Sequence, residues 1–400
     1  MDRKYIKLLK SELNNRQMLF ISGPRQVGKT TLVKQLIHKT PLNYFNWDNF
    51  EHREIILSGG KPIIEAVQAN QLSKEKPIVV FDELHKYKDW KNWIKGFFDL
   101  YEHQIKIIVT GSARLDIFSK GGDSLMGRYF HYRLHPFSMR EISADLNFEK
   151  KLQKLMMPKK NVLSQLLEFG GFPEPYLKAN NRFSNRWHNL RQRQLIGEDI
   201  RDGTRIHEIS QLELLAQLLL KQAGQVTNYT TLAKQIRVSV DTIRRWLDVL
   251  EGFYFCYRIK PWYKNITTAL RKEPKTYLWD WSRIEDTGSK NENFVASHLL
   301  KYIHWLTDLG FGQYNLHYLR TKDQKEVDFL VTENNQPWFL VEVKSSHGQS
   351  LNKHLGWFQN KTKAKHAFQV VMDLPFVDVD CFAKTQPIKV PIESLLMKLV

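Results

Sequence analysis

A glycine-framed loop set between an apolar run and a helical pattern constrains this chain more than any other feature. Gln17-Met18-Leu19-Phe20-Ile21-Ser22 reads as a short buried strand and runs directly into Gly23-Pro24-Arg25-Gln26-Val27-Gly28-Lys29-Thr30-Thr31. Leu32, Val33, Leu36 and Ile37 then recur at helical spacing. The order strand, loop, helix is the one that G-x-x-x-x-G-K-T needs to hold phosphate. Gly23 and Gly28 let backbone N–H groups wrap an anion at the positive end of the new helix. The stretch Gly23 to Thr31 therefore predicts an ATP site in which Lys29 contacts the β- and γ-phosphates and Thr30 places its hydroxyl on Mg²⁺.

Two further strands fit the same α/β layer. Pro77-Ile78-Val79-Val80-Phe81-Asp82-Glu83 is an apolar run ending in two carboxylates. Asp82 is expected to hold Mg²⁺ through water and Glu83 to polarise the attacking water, a task for a carboxylate at a strand tip. Ile105-Lys106-Ile107-Ile108-Val109 ends in Thr110-Gly111-Ser112. Parallel sheets place ligand contacts at such tips, so Thr110 or Ser112 is expected near the γ-phosphate.

These residues resemble prokaryotic AAA-type ATPases that carry G-P-R-Q-x-G-K-T-T, hydrophobic-D-E, T-G-S-x and L-x-G-R…L-x-P-F-S-x-x-E. The last block stands here as Ser124-Leu125-Met126-Gly127-Arg128-Tyr129-Phe130-His131-Tyr132-Arg133-Leu134-His135-Pro136-Phe137-Ser138-Met139-Arg140-Glu141. The resemblance implies that Arg128 is an arginine finger, completing a neighbouring subunit's site or its own, and so allows a homo-oligomer. It also implies a lid containing Gly170-Gly171-Phe172-Pro173-Glu174-Pro175, after a lysine-rich connector at Lys150 to Lys160. A basic, helical stretch from Arg186 to Ile206 is expected to follow.

With 400 residues, the chain exceeds one ordinary core and suggests two or three domains. Its 42% hydrophobic and 12% aromatic residues suffice for buried cores. The charged start and the lack of any apolar run near the ~20 residues of a membrane span predict a cytoplasmic protein with no membrane partner. Cys256 and Cys381 alone exclude a Cys-based zinc finger and read as buried free thiols. A net charge of +18 and a pI near 9.6 favour polyanionic partners, with nucleic acid first among them.

Between Thr227 and Ile259, Leu232, Ala233 and Ile236 form one apolar face, and Val240, Ile243, Leu247 and Leu250 form another. Arg237-Val238-Ser239 separates them, with Ser239 positioned to cap the second helix. This is a helix-turn-helix pattern, and Arg244 and Arg245 lie off its stripe where DNA contacts are presented. Tyr254–Ile259 and Lys275–Trp279 read as strands of a wing, joined by a basic and aromatic loop. Ten basic residues stand against four acidic ones from Lys234 to Lys275.

Further on, Lys325–Val331 and Trp338–Lys344 alternate with period two, and Glu333 to Pro337 is expected as a five-residue hairpin loop. Centring that loop on Asn335 places Asp328 directly opposite Glu342, with Lys344 on Glu342's face. Carboxylates so opposed repel unless a cation bridges them, and Mg²⁺ or Mn²⁺ suits such a pair. The arrangement D…E-x-K resembles the restriction-endonuclease-like superfamily, whose resemblance adds Glu292, in Asn291–Leu300, as a fourth member and metal ligand. It implies Asp328, Glu342 and Lys344 as catalytic residues and Glu292, Asp328 and Glu342 as ligands.

The expected architecture is α/β throughout: a P-loop AAA-type ATPase core at 1–145, a helical lid or connector at 146–215, a winged helix at 216–282 and a restriction-endonuclease-like domain at 283–400. The function expected is an ATP-binding, Mg-dependent ATPase acting on or binding DNA, with metal-dependent nuclease activity of the C-terminal domain open. The alternative is a nucleotide-controlled switch that binds a protein partner and carries an inactive nuclease-like domain.

Overall fold

The structure is a computed structural model and describes residues 3–37, 43–68, 76–112, 125–204, 206–262 and 273–400. Ser124 and the tip of the expected wing at 263–272 lie outside them. The chain divides into two compact units, Met1–His135 with Gly252–Tyr254, and Pro136–Glu251 with Phe255–Val400. Among the described residues, no helix is long and apolar enough to cross a membrane.

The first unit is built on five strands: β1 (Met18–Ser22), β2 (Tyr44–Asn46), β3 (Ile78–Asp82), β4 (Lys106–Gly111) and β5 (Tyr129–Arg133). Their order is β2-β3-β4-β1-β5, and every pairing is parallel. All five residues of β1 are buried, as a strand covered on both faces requires. On one face Phe20, Phe81 and Val109 pack with Trp90, Ile94 and Phe97 from the helix Trp90–Tyr101. Three C-terminal strand tips, after Ser22, Asp82 and Gly111, thereby come to one edge of the sheet.

The second unit begins with short helices that include Val162–Phe169 and Pro173–Lys178. The Gly170-Gly171 turn between them is fixed by a bond from Phe137 N to the Gly171 carbonyl at 2.6 Å. Asn181–Gln194 continues through a wide turn at Leu195–Ile200, a single helical run matching the basic stretch expected there. Three helices follow, Ile209–Lys221, Tyr229–Ile236 and Val240–Gly252. Ser239 Oγ accepts the Thr242 N–H at 3.0 Å, the cap expected of it. Ile243, Trp246, Leu247 and Leu250 are fully buried, whereas Val240 is only half-buried.

The antiparallel hairpin β6 (Cys256–Pro261) and β7 (Lys275–Leu278) comes next, with Val226 bridging Lys275 from the other side. This hairpin does not stand apart as a free wing. It forms one end of a seven-stranded sheet with β8 (Tyr314–Arg320), β9 (Glu326–Glu333), β10 (Gln336–Lys344), β11 (His366–Val371) and β12 (Ile388–Pro391) in the order β12-β11-β10-β9-β8-β6-β7. Lys260 and Pro261 pair in parallel with His317 and Tyr318. The long helix Thr287–Asp308, capped by Asp286, lies between β7 and β8 in the chain.

The β9–β10 hairpin corrects the expected five-residue loop. Gln336 already pairs with Glu333, leaving Asn334 and Asn335 as a two-residue turn with φ of 49° and 63°. Both are residues that tolerate the left-handed region a type I′ hairpin requires. Pairing then shifts by one between Pro337 and Phe339, so Trp338 is an added residue. The register beyond it pairs Val341 with Phe329, and one step on lie Glu342 and Asp328.

Candidate functional site

At the tip of β1 the loop turns through Gly23 at φ 155° and Gly28 at φ 97° before Lys29 opens the helix Lys29–Leu36. A side chain at Gly23 would collide with the Leu134 carbonyl, so the loop lies tight against the end of β5. Lys29 is buried and its Nζ donates to the Gly23 and Pro24 carbonyls at 2.9 and 2.8 Å. Pro24, Arg25, Gln26 and Val27 form the span between the glycines, with Gln26 also at positive φ, 64°. Thr30 and Thr31 sit in the first helical turn.

Asp82 gathers the site. Thr30 Oγ1 donates to Asp82 Oδ2 at 2.8 Å. Tyr44 OH donates to the same oxygen and Thr110 Oγ1 to the other, both as short hydrogen bonds. Burial and the Asp82 charge together push the Tyr44 phenol far above its usual range, which keeps it a donor. Neither Tyr44 in this role nor the full use of Thr110 was legible in sequence. β2 has three residues and no periodicity of its own, so nothing local announces that it reaches Asp82.

Glu83 stands just past the strand with φ 56°, a left-handed backbone that costs a non-glycine residue about 1–3 kcal/mol. Its Oε2 accepts Ser112 Oγ at 2.9 Å and lies 3.7 Å from His85 Nε2. Burial holds the His85 imidazole below its usual pKa, outweighing the nearby Glu83 charge. The two polar residues of the third strand tip thus divide their work: Thr110 binds Asp82 and Ser112 binds Glu83. The hydroxyl of Thr30 and the carboxylate of Asp82 are hard oxygen donors in contact, a set that fits Mg²⁺.

Arg128 is not brought to this edge. Its carbonyl accepts the Met18 N–H, which puts it at the N-terminal end of β1, with the strand's length between it and the glycine loop. Its guanidinium is held bidentately by Asp99, with Nε–Oδ1 at 2.7 Å and Nη2–Oδ2 at 3.1 Å. The expectation that Arg128 completes its own subunit's site fails for this reason, since parallel strands carry ligands at the opposite end.

In the second unit Arg244 and Arg245 are exposed as expected. Arg244 lies 3.6 Å from Asp241 and 5.5 Å from the Tyr229 ring centroid.

The acidic residues of the seven-stranded sheet do meet, in a different arrangement from that expected. Asp328 Oδ2 accepts the Val343 N–H at 2.8 Å, and Glu342 Oε1 takes Asn352 Nδ2 at 2.9 Å and Lys344 Nζ at 2.8 Å. Glu342 Oε2 is buried with no hydrogen-bond partner among the described residues. Burial, followed by the charges of Glu292 and Glu342, drives the Asp328 carboxyl well above the usual range, with Lys275 opposing. Glu292 is occupied from within: Lys275 Nζ lies 3.0 Å and Tyr277 OH 2.6 Å from its Oε1. Lys275 also reaches Glu326 Oε1 at 2.6 Å. Among the described residues no group of three or more His, Cys, Asp or Glu side chains is gathered to hold a metal ion. The fit to a divalent cation therefore fails at Glu292. Lys275, Tyr277 and Glu326 were missed because their part depends on β7 and β9 reaching one place.

Cys256 and Cys381 are buried free thiols, as expected.

Residues 15–143 match a family described as an AAA domain. Residues 160–283 and 287–380 match two domains of unknown function, DUF8612 and DUF4143. An uncharacterized protein of Mycobacterium tuberculosis is 22% identical over 366 residues, covering 87% of this chain and 74% of its own. An uncharacterized protein of Methanocaldococcus jannaschii is 24% identical over 330 residues, covering 72% and 68%. Among solved structures, AMPPCP-bound DnaA from Aquifex aeolicus aligns with TM-score 0.31 and 15% identity over 61% of this chain and 86% of that one. PCH-2 of C. elegans aligns with TM-score 0.24 and 13% identity over 61% and 66%. The stretch that matches the AAA domain, residues 15–143, is the one that carries the parallel five-stranded sheet.

Proposed function

We propose that this protein is a Mg-dependent ATPase whose nucleotide cycle acts on bound DNA. The observation that carries the reading is the contact of Thr30 with Asp82 at 2.8 Å, beside a Glu83 carboxylate oriented by Ser112. Thr30 and Asp82 would hold Mg²⁺, which would supply charge neutralisation at the phosphates. Lys29 leaves the Gly23 and Pro24 carbonyls to meet the phosphates, and the loop amides from Gly23 to Thr31 hold them at the helix N-terminus. Glu83 accepts the proton of the attacking water. A homo-oligomer is part of the proposal, because Arg128, remote from its own loop, serves phosphoryl transfer only in a neighbouring copy.

The DNA half of the reading rests on the helices Tyr229–Ile236 and Val240–Gly252, taken as the helices of a winged helix at 216–282 whose β6–β7 hairpin, bridged to Val226, also ends the seven-stranded sheet. Arg244 and Arg245 on its exposed face, with the net charge of +18, supply phosphate contacts. Its borders with the 1–145 core and the 146–215 lid belong to the same proposal. The order helix, three antiparallel strands, helix, strand from Thr287 to Val371 supports a restriction-endonuclease-like fold at 283–400. The occupation of Glu292 by Lys275 favours the second reading for that domain, an inactive nuclease-like module.

ATP turnover measured with and without duplex DNA tests the proposal. Wild type is expected to hydrolyse ATP faster with DNA, and Lys29→Ala to lose turnover in both conditions. Turnover indifferent to DNA, together with no salt-sensitive DNA binding, would sink the DNA half; turnover unchanged in Lys29→Ala would sink the ATPase itself.

A further inference from the structure

The structure assigns to Lys275 the place of a cation at the acidic centre of the seven-stranded sheet: its ammonium pairs with Glu292 and Glu326 and supplies there the charge that a divalent metal would otherwise supply. Glu292, Asp328 and Glu326 all act on the Lys275 charge, and Glu342 acts on Asp328. Like charges at such spacing require a counter-cation. Lys275 Nζ supplies it at 3.0 Å from Glu292 Oε1 and 2.6 Å from Glu326 Oε1. Lys344 neutralises Glu342 on the other side at 2.8 Å, and Arg320 lies 3.5 Å from Glu326.

The lysine is built in. Its side chain is 5% exposed. Its backbone is fixed twice, paired to Ile259 across the hairpin and bridged to Val226. Two residues along the same strand, Tyr277 directs its hydroxyl to the Glu292 oxygen that Lys275 holds, at 2.6 Å. That oxygen therefore already receives two donors. Mg²⁺ demands oxygens at about 2.0–2.1 Å in octahedral array and retains several waters, and the buried ammonium competes with it for the Glu292 and Glu326 oxygens. The centre is thus a metal-free charge cluster that ties β7 to β9 and to the helix Thr287–Asp308. This inference is independent of the ATPase reading, since it concerns nucleotide-free protein.

Removing the ammonium should open the metal site that it closes, with Asp328 and the unpartnered Glu342 Oε2 as the ligands uncovered. The test is a Mn²⁺ titration of the full chain without nucleotide, followed by EPR of free Mn²⁺. Wild type and Asp328→Asn are expected to bind Mn²⁺ alike, whereas Lys275→Met gains one Mn²⁺ per chain and Lys275→Met/Asp328→Asn loses it again. Lys275→Gln, which keeps a hydrogen-bond donor without charge, serves if the methionine variant does not fold, folding being checked by circular dichroism. Wild-type Mn²⁺ binding that Asp328→Asn abolishes would overturn the inference, and so would a folded, uncharged Lys275 variant that gains no site.

Discussion

At the residue scale the chemistry is concentrated in side chains that hold one another. Glu83 keeps a strained backbone while Ser112 orients its carboxylate, the arrangement expected of a group placed for a reaction rather than for stability. Glu83→Gln preserves size and the Ser112 contact but removes the proposed proton acceptor. Turnover should fall about 10²–10⁴-fold, the usual worth of a general base, while nucleotide binding measured by fluorescence titration stays within a few-fold. His298 offers a second test at this scale. Its Nδ1–H donates to the Phe294 carbonyl at 2.8 Å, and its Nε2 accepts the Met139 N–H at 3.2 Å, so the fold requires the neutral ring. Burial lowers its pKa to about 3 from the ordinary 6.5. Below pH 6.5 the unfolded chain takes up a proton that the folded chain refuses. The contribution is therefore complete above 6.5 and is lost as pH falls toward 3, at up to about 1.4 kcal/mol per pH unit. Urea melts at pH 7 and pH 5 should show His298→Asn less stable than wild type at pH 7 but with a flatter loss on acidification.

At the scale of elements, helix periodicity proved the more readable signal and strand register the less. The Ser239 cap and the exposed Arg244 and Arg245 follow from a 3.6-residue pattern that a helix imposes on itself. If these arginines touch phosphate, replacing both by alanine should weaken duplex binding at low salt and reduce the slope of log affinity against log salt by roughly one for each phosphate no longer neutralised. Unchanged slope in a fluorescence anisotropy titration would remove them from the interface. The opposed position of Asp328 and Glu342 agrees with a loop centred on Asn335, yet for a different reason. A two-residue Asn334-Asn335 turn alone would bring Glu342 opposite Val327, and the extra residue at Trp338 restores the acidic pair. A bulge has no signature in alternation, which is why the pair was legible and its cause was not.

At the scale of the whole molecule, the charge of +18 would make the proposed association with DNA strongly salt-dependent. Stimulation of ATP turnover by duplex DNA should therefore decline steeply as salt rises from about 50 to 200 mM, because released counterions drive the binding. Basal turnover without DNA should change little across the same range. Stimulation that survives the higher salt undiminished would point to a contact other than phosphate.

The glycine loop and the two strand tips beyond it were fixed by local sequence, since phosphate binding needs particular residues at consecutive positions. Gly23, Gly28, Lys29 and Thr30 are neighbours in the chain, and Asp82 and Glu83 announce themselves at the end of an apolar run. What only the tertiary structure decided is which distant residues share a place. Tyr44 comes to Asp82 because β2 pairs with β3, and Arg128 is carried away from the loop because β5 runs parallel to β1. Lys275 enters the acidic centre because the hairpin meant as a wing is the end of another sheet. Strand pairing joins residues far apart in sequence through backbone hydrogen bonds that every residue type can make, so the pattern of side chains carries little record of it.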